Sequence, residues 1–235
     1  MTPVEVYREI DKDIDNVARW WLGKRKKLTD IAKWTIKLPR KTWFDYESPR
    51  KNKYIVLSII MGRKYNNESM TCVAALQKMD RGYAVYGTRF PWQYNADRLV
   101  YLPHVFDRYH DRGNVQKTGI DLIKHFLERN IHGDTSLGDQ FAGRSVRYKG
   151  RDNMALSVND GVLLGEDVED IFVAHTFITY DMATEIQREE FESRRKNVMN
   201  EKEILDAISK IRRDKYKEMR EELIAEYMSK PATDF

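Results

Sequence analysis

The sequence contains very little cysteine and no long apolar stretch. Cys72 is the single cysteine among 235 residues, so an intramolecular disulfide is excluded and cysteine alone cannot form a thiolate metal site. Because nothing points to an oxidising compartment, we expect a cytoplasmic location. The longest apolar run extends from Tyr54 to Met61, with Ser58 as its one polar residue, whereas a helix needs roughly 20 residues to cross a bilayer. We expect no membrane span and, from the charged residues that follow Met1, no export signal.

The sequence also lacks internal repeats and linkers rich in Gly, Ser or Pro, so a domain boundary has to be placed by the type of predicted element. Residues 1–196 are predicted to form one α+β domain with a basic helical N-terminus. Residues 197–235 are predicted to form an amphipathic helix and tail, since apolar side chains recur at helical spacing from Ile204 to Tyr227. The stripe within 200–228 can dock on a partner protein or on a second copy of the chain.

Local patterns predict an α+β fold. Thr2 to Glu5 has the form of a capping box with Pro3 at the first helical position, which predicts an opening helix to about Trp21. The run that begins at Tyr54 predicts a central strand buried on both faces. Further predicted elements are helices at 28–36, 103–112 and 119–130, and strands at 71–77, 83–86, 145–148, 154–158, 162–164 and 171–179. Asn159-Asp160-Gly161 is predicted to form a hairpin turn. We expect antiparallel sheets with helices packed on one side and helical extensions at both termini.

Positive charge is concentrated in one part of the chain. The net charge is +4, yet Lys24 to Lys64 carries thirteen lysines or arginines against three acids, a local charge of +10 that leaves −6 elsewhere. Aromatic residues lie among these cations, a mixture that suits binding of RNA or another polyanion. An equally good explanation of the segment is that its rings are core residues and its lysines only keep the surface soluble. A second basic cluster near Arg147 is explained by an exposed edge strand whose charges prevent aggregation. The candidate nucleic-acid-binding residues are Lys24, Arg25, Lys26, Lys27, Arg144 and Arg147.

The segment from Pro103 to Arg112 has a histidine and two arginines at four-residue spacing. Pro103 suits the first turn of a helix, and His104, Arg108 and Arg112 are then predicted to share one face. Imidazole exchanges protons near neutral pH and guanidinium groups stabilise phosphate charge, which is what metal-independent RNA cleavage requires. An ordinary solvated helix face can have the same residues at the same spacing.

A late predicted strand adds Thr176, whose hydroxyl can donate to a phosphate or simply suit a strand. Together with the preceding helix, the order from Pro103 to Asp181 resembles the broad superfamily of barnase, EndoU, colicin E5/D and RelE-like ribonucleases. The resemblance implies that His104 is the acid or base and that Thr176 is a late-strand contact. It implies that Arg108 and Arg112 are phosphate ligands in a toxin-like enzyme. The large size and the expected lack of an export signal suit a chromosomal, phage or mobile-element protein that acts inside the cell.

No metal or cofactor is predicted. His125 and His132 lie two helical turns apart, roughly 10 Å along the axis, which is too far to share a zinc ion, and a surface ion pair explains Asp121 and His125. The sequence therefore predicts a metal-independent RNA endonuclease. Two alternatives remain open: a protein that binds nucleic acid without chemistry, and an interaction protein that docks through its C-terminal helix.

Overall fold

A computed structural model of the chain describes residues 1–35, 39–60, 69–88, 98–130, 133–136, 153–185, 188–189 and 191–193. The helices in these ranges are α1 (Pro3–Gly23), α2 (Arg25–Trp34), α3 (Pro103–Arg112) and α4 (Gly119–Arg129). The strands are β1 (Arg40–Glu47), β2 (Lys53–Ile60), β3 (Ser69–Met79), β4 (Gly82–Thr88), β5 (Arg98–Tyr101), β6 (Gly133–Ser136), β7 (Asn153–Val158), β8 (Gly161–Asp167) and β9 (Ile171–Ile178). A 3₁₀ turn, Tyr180–Met182, follows β9.

Local interactions explain why α1 begins at the predicted residue. The Thr2 hydroxyl oxygen accepts a hydrogen bond from the Glu5 amide at 3.3 Å, and the Glu5 carboxylate accepts one from the Thr2 amide at 2.7 Å. These reciprocal bonds satisfy two amides at the helix start, and Pro3 follows the cap. The predicted opening helix is therefore confirmed, and it continues to Gly23. The second helix begins at Arg25, three residues earlier than predicted.

The nine described strands form one sheet in the order β1-β2-β3-β4-β5-β9-β8-β7-β6. Strands β1 to β5 pair antiparallel in chain order, and so do β6 to β9. The two halves meet where β5 and β9 pair in parallel, with Val100 opposite Val173. A parallel pair requires a long crossover, which here contains α3, α4 and strands β6 to β8. The α+β class is confirmed, and the late strands extend the first sheet.

Helices cover both faces of this sheet. On β2, Tyr54 and Val56 pack in the apolar cluster that contains α1 and α2, whereas Ile55 packs in the cluster that contains α3 and α4. The prediction that helices pack on one side is wrong, because neighbouring residues of a strand point to opposite faces and both faces of β2 are apolar. The predicted burial of this strand on both faces is confirmed, since every residue from Tyr54 to Ile60 is buried.

Some predicted features lie outside the described residues. These are the domain boundary near residue 197, the C-terminal helix with its 200–228 stripe, the strand at 145–148, and the basic residues Arg144 and Arg147. They stay predictions. In the part of the chain that the structure describes, none of the helices combines the length and the apolarity that crossing a bilayer requires.

Candidate functional site

His104 and Arg108 meet on the exposed side of α3. The Arg108 Nε donates a hydrogen bond to His104 Nε2 at 3.1 Å, and Arg108 Nη1 lies 4.0 Å from Asp111 Oδ2. In this contact the Nε2 nitrogen of the His104 ring is the acceptor. This pair is the part of the predicted catalytic set that the structure brings together.

Arg112 departs from the face that His104 and Arg108 share. Each four-residue step along an α-helix turns about 40° beyond a full circle, so two steps carry Arg112 about 80° around the axis from His104. This rotation brings Arg112 to the sheet, where its guanidinium donates to the backbone carbonyl of Phe177 on β9. The three residues predicted to share one face are thus divided between solvent and the sheet.

Thr176 lies on the face of the sheet opposite α3. Its partner across the β8–β9 ladder is Leu164, which packs with Tyr180 and its neighbours. The adjacent Phe177 points the other way and packs on Tyr109 of α3, with ring centroids 5.1 Å apart. The structure therefore does not bring Thr176 to His104 and Arg108, with which the resemblance implies that it acts.

Two residues of the predicted basic run at Lys24–Lys27, namely Lys26 and Lys27, line a groove of about 630 Å³ beside α2. We call it the α2 groove. The side chains that line it belong to Lys26, Lys27, Asp30, Ile31, Trp34 and Arg40. Trp34, the last residue of α2, is 84% exposed. Within the described residues, the ion pair on α2 joins Lys33 to Asp30 at 3.9 Å. Neither Lys26 nor Lys27 forms an ion pair with another described residue, and the Lys27 ammonium lies 5.7 Å from the centroid of the Phe44 ring.

Most of the rings near these cations belong to the core. Tyr46 on β1 stacks on Trp20 of α1 with centroids 4.7 Å apart, and Phe44 meets the same indole edge-on at 6.4 Å. The Lys24 ammonium lies 5.2 Å from the centroid of the Trp20 ring, within cation–π range. The core explanation of this segment thus holds for most of its rings, whereas binding of a polyanion stays a prediction. The core rings position the cations, and Trp34 remains in solvent.

A second cavity, of about 910 Å³, opens between the end of α3 and the outer side of α4. We call it the α3–α4 cleft. Its basic lining residues are Arg112, Lys117, His125, Arg129 and Arg188. Three carboxylates also line it, contributed by Asp160, Asp181 and Glu192. The cleft collects charged groups from α3, α4, the β7–β8 turn and the segment after β9.

One wall of the α3–α4 cleft is a network centred on Asp160 in the β7–β8 turn. Arg129 donates to its two carboxylate oxygens at 2.6 and 2.5 Å, and the Tyr109 hydroxyl donates at 2.7 Å. The Asp160 amide donates to Asn130 Oδ1 at 2.9 Å. Burial acts to raise the pKa of Asp160, but the bonds from Arg129 and Tyr109 outweigh it and hold the pKa below its ordinary value. Asp160 is thus an ionised partner that fixes and neutralises Arg129.

His125 lies beside this network on α4. Its ring centroid is 6.2 Å from that of Tyr109. Burial, followed by the positive charges of Lys117 and Arg129, lowers the pKa of His125 below its ordinary value. The ring is therefore neutral at pH 7, with one nitrogen able to donate a hydrogen bond and the other able to accept one.

Sequence reasoning missed the α3–α4 cleft, although part of the signal was present. His125 and Arg129 are four residues apart and share one side of α4, and Asp160 lies in the turn Asn159-Asp160-Gly161, which the sequence predicts correctly. What the sequence does not reveal is that this turn meets α4, since 31 residues separate Arg129 from Asp160.

Comparison with protein-family models, with curated proteins and with solved structures found no match to this chain.

Proposed function

We propose that the protein binds single-stranded RNA through the α2 groove. The observation that carries this proposal is the indole of Trp34, which is 84% exposed and lines the groove with Lys26 and Lys27. A large ring held in water is unfavourable in the unbound protein, and it offers an unpaired base a surface on which to stack. The two lysines, with Arg40 at the start of β1, supply charge for the phosphates that flank such a base.

Stacking on Trp34 favours a single strand over a duplex. Within a duplex both faces of a base are covered by its neighbours, whereas an unpaired base can splay onto a protein ring. RNA presents such bases in loops and at ends. An RNA ligand also agrees with the cytoplasmic location predicted from the lone Cys72.

Trp34→Ala is expected to weaken binding of a labelled single-stranded RNA of about 12 nucleotides by roughly 5- to 150-fold, the effect of losing about 1–3 kcal/mol of stacking. The double variant Lys26→Glu with Lys27→Glu should bind still more weakly. For this variant the slope of log affinity against log salt concentration should also be shallower by roughly 1.4, because each of the two lost phosphate contacts removes about 0.7. Fluorescence anisotropy between about 50 and 200 mM salt measures both effects.

The matched control reverses two charges at the other end of the sheet, Lys78→Glu with Arg81→Glu. Arg40 of the groove pairs with Ile60, and Ile60 pairs with Ser69, so the start of β3 lies at the groove end of the sheet. Lys78 is nine residues further along β3, which is about 30 Å. We expect this control to keep the salt dependence of the parent. An unchanged affinity in the tryptophan variant, or equal losses in the two double variants, would contradict RNA binding at the α2 groove.

Metal-independent RNA cleavage at His104 and Arg108 is the second candidate function. It is favoured by the 3.1 Å contact of these side chains on the exposed side of α3, where imidazole can act as a base and guanidinium as a phosphate ligand. Thr176 takes no part because it lies on the other face of the sheet. This candidate site is smaller than the one implied by the resemblance to toxin-like ribonucleases.

If this second function is present, His104→Ala should slow cleavage of mixed RNA in excess chelator by about 100-fold or more, the usual contribution of a general acid or base. His110→Ala is the control, since that histidine is on the same helix but its Nδ1 lies 3.1 Å from the Lys117 carbonyl oxygen. Gel analysis of the RNA measures the rate. If the His104 variant cleaves as fast as the parent, or if the parent leaves the RNA intact, cleavage at His104 is contradicted. RNA binding without cleavage would then be the function that remains.

A further inference from the structure

The α3–α4 cleft contains cations that the α2 groove and the His104 pair do not use. Arg112 comes from the end of α3, Lys117 from the connection to α4, and Arg188 from the segment after β9. Within the described residues, neither Arg112 nor Lys117 forms an ion pair with a carboxylate, whereas Arg129 is held by Asp160. Two basic side chains therefore line the cavity without an ion-pair partner among the described residues.

The carboxylates of the cleft leave an excess of positive charge. Asp160 is occupied by Arg129, and Asp181 accepts hydrogen bonds from Thr179 and from its own backbone, which hold its pKa below the ordinary value. Glu192 is exposed to solvent. With four arginine or lysine side chains against three carboxylates, the cleft has a net positive charge even while His125 is neutral.

We propose that the α3–α4 cleft binds a phosphate monoester, with Arg112 and Lys117 on the phosphate oxygens and His125 as a hydrogen-bond partner. The guanidinium of Arg112 is anchored by its bond to the Phe177 carbonyl, so little side-chain entropy is lost when it binds an anion. A cavity of about 910 Å³ has room for a nucleotide. The monoester can belong to a free nucleotide or to the phosphorylated end of an RNA strand.

The ring of His125 reports on an anion in the cleft. Its charge is influenced by Lys117, Glu128, Arg129 and Asp160, and Tyr109 packs beside it. A bound phosphate dianion stabilises the imidazolium form, so the pKa of His125 should rise when the cleft is occupied. By linkage, protonation of His125 should in turn strengthen binding as long as the phosphate stays a dianion, which requires a pH above its second pKa of about 6.

Adenosine 5′-monophosphate is the probe that tests this site. It should bind to the full chain by calorimetry and shift the NMR titration of the His125 ring to higher pH, whereas adenosine should do neither. Arg112→Ala and Lys117→Ala should each weaken binding by about tenfold or more. Lys117→Ala is the safer variant for folding, because Arg112 also contacts the sheet. Lys51→Ala, in the β1–β2 turn with its side chain 83% exposed, is the control and should bind like the parent.

Short RNAs with and without a 5′-phosphate distinguish the two sources of the monoester. A 5′-phosphorylated strand that binds more tightly than both the unphosphorylated strand and the nucleotide, and that loses this advantage in Lys117→Ala, would identify an RNA end as the ligand. Equal binding of the two strands would identify a free nucleotide. The site does not depend on RNA binding at the α2 groove, so Trp34→Ala should leave nucleotide binding unchanged. The absence of saturable binding of either probe, or undiminished binding in Lys117→Ala, would overturn the proposal.

Discussion

Replacing Asp13 with alanine is expected to lower the free energy of unfolding by roughly 3–5 kcal/mol. Asp13 lies in the middle of α1 and is 0% exposed. Its Oδ2 accepts hydrogen bonds from Ser48 Oγ at 2.6 Å, from Asn52 Nδ2 at 2.6 Å and from the Tyr54 hydroxyl at 3.1 Å. Alanine would leave these donors without their acceptor, and an unsatisfied buried polar group costs about 1–3 kcal/mol.

The position of Asp13 explains why this loss should affect the whole fold. Ser48 and Asn52 belong to the turn between β1 and β2, so the carboxylate joins α1 to the first hairpin of the sheet. Burial, together with the charge of Asp13, raises the pKa of Tyr54 far above its ordinary value, so the phenol keeps the proton that it donates. Arg50 adds a cation, with Nε 4.0 Å from the other carboxylate oxygen.

Urea unfolding followed by circular dichroism measures this effect. Asp107→Ala is the matched control, because Asp107 is an exposed helical carboxylate on α3 and its loss should change stability by no more than about 0.5 kcal/mol. Asp13→Asn should fall between the two, since an amide oxygen can still accept hydrogen bonds while the amide nitrogen faces other donors. Equal unfolding midpoints for Asp13→Ala and Asp107→Ala would show that the buried carboxylate does not stabilise the fold.

Gly165→Ala is expected to destabilise the protein by roughly 2–3 kcal/mol, because an added methyl group has no space. A Cβ on Gly165 would lie 2.1 Å from the Val173 carbonyl oxygen and 2.9 Å from a ring carbon of Phe172. The obstacle is the backbone of β9, which cannot rotate away as a side chain can. The two strands approach here because their register shifts: Gly165 pairs with Ala174 and Leu164 with Thr176, which leaves His175 as an extra residue.

Gly23→Ala supplies the comparison for the glycine variant. Gly23 is the last residue of α1, and a Cβ placed on it meets no atom within 4 Å. Alanine is the better helix former, so this change should leave stability unaltered or raise it by up to about 1 kcal/mol. In thermal unfolding, the midpoint of Gly165→Ala should therefore fall below that of the parent. The midpoint of Gly23→Ala should stay the same or rise. A Gly165 variant as stable as the parent would mean that β8 and β9 can separate without cost.

The sequence could predict a site residue only where its neighbours along the chain decide its position. His104 and Arg108 are one helical step apart, and they meet as expected. Arg112 is two steps away, and the accumulated rotation of the helix moves it to the sheet. Thr176 follows the register shift at His175, which faces solvent while Thr176 shares its face with Leu164. A predicted strand gives alternating faces but not the side of the sheet on which a given helix packs.

By itself the sequence determined the start of α1, the burial of β2 on both faces, and the two-residue turn at Asn159 and Asp160. These features depend on residues a few positions apart, whose hydrogen bonds and apolar periodicity act within one element. Only the tertiary structure decided that helices cover both faces and that Asp160 meets Arg129. It also decided that the Tyr7 hydroxyl reaches the Leu99 carbonyl oxygen, 92 residues away, at 3.0 Å. Such contacts follow from strand order, and one pattern of apolar residues is compatible with several strand orders.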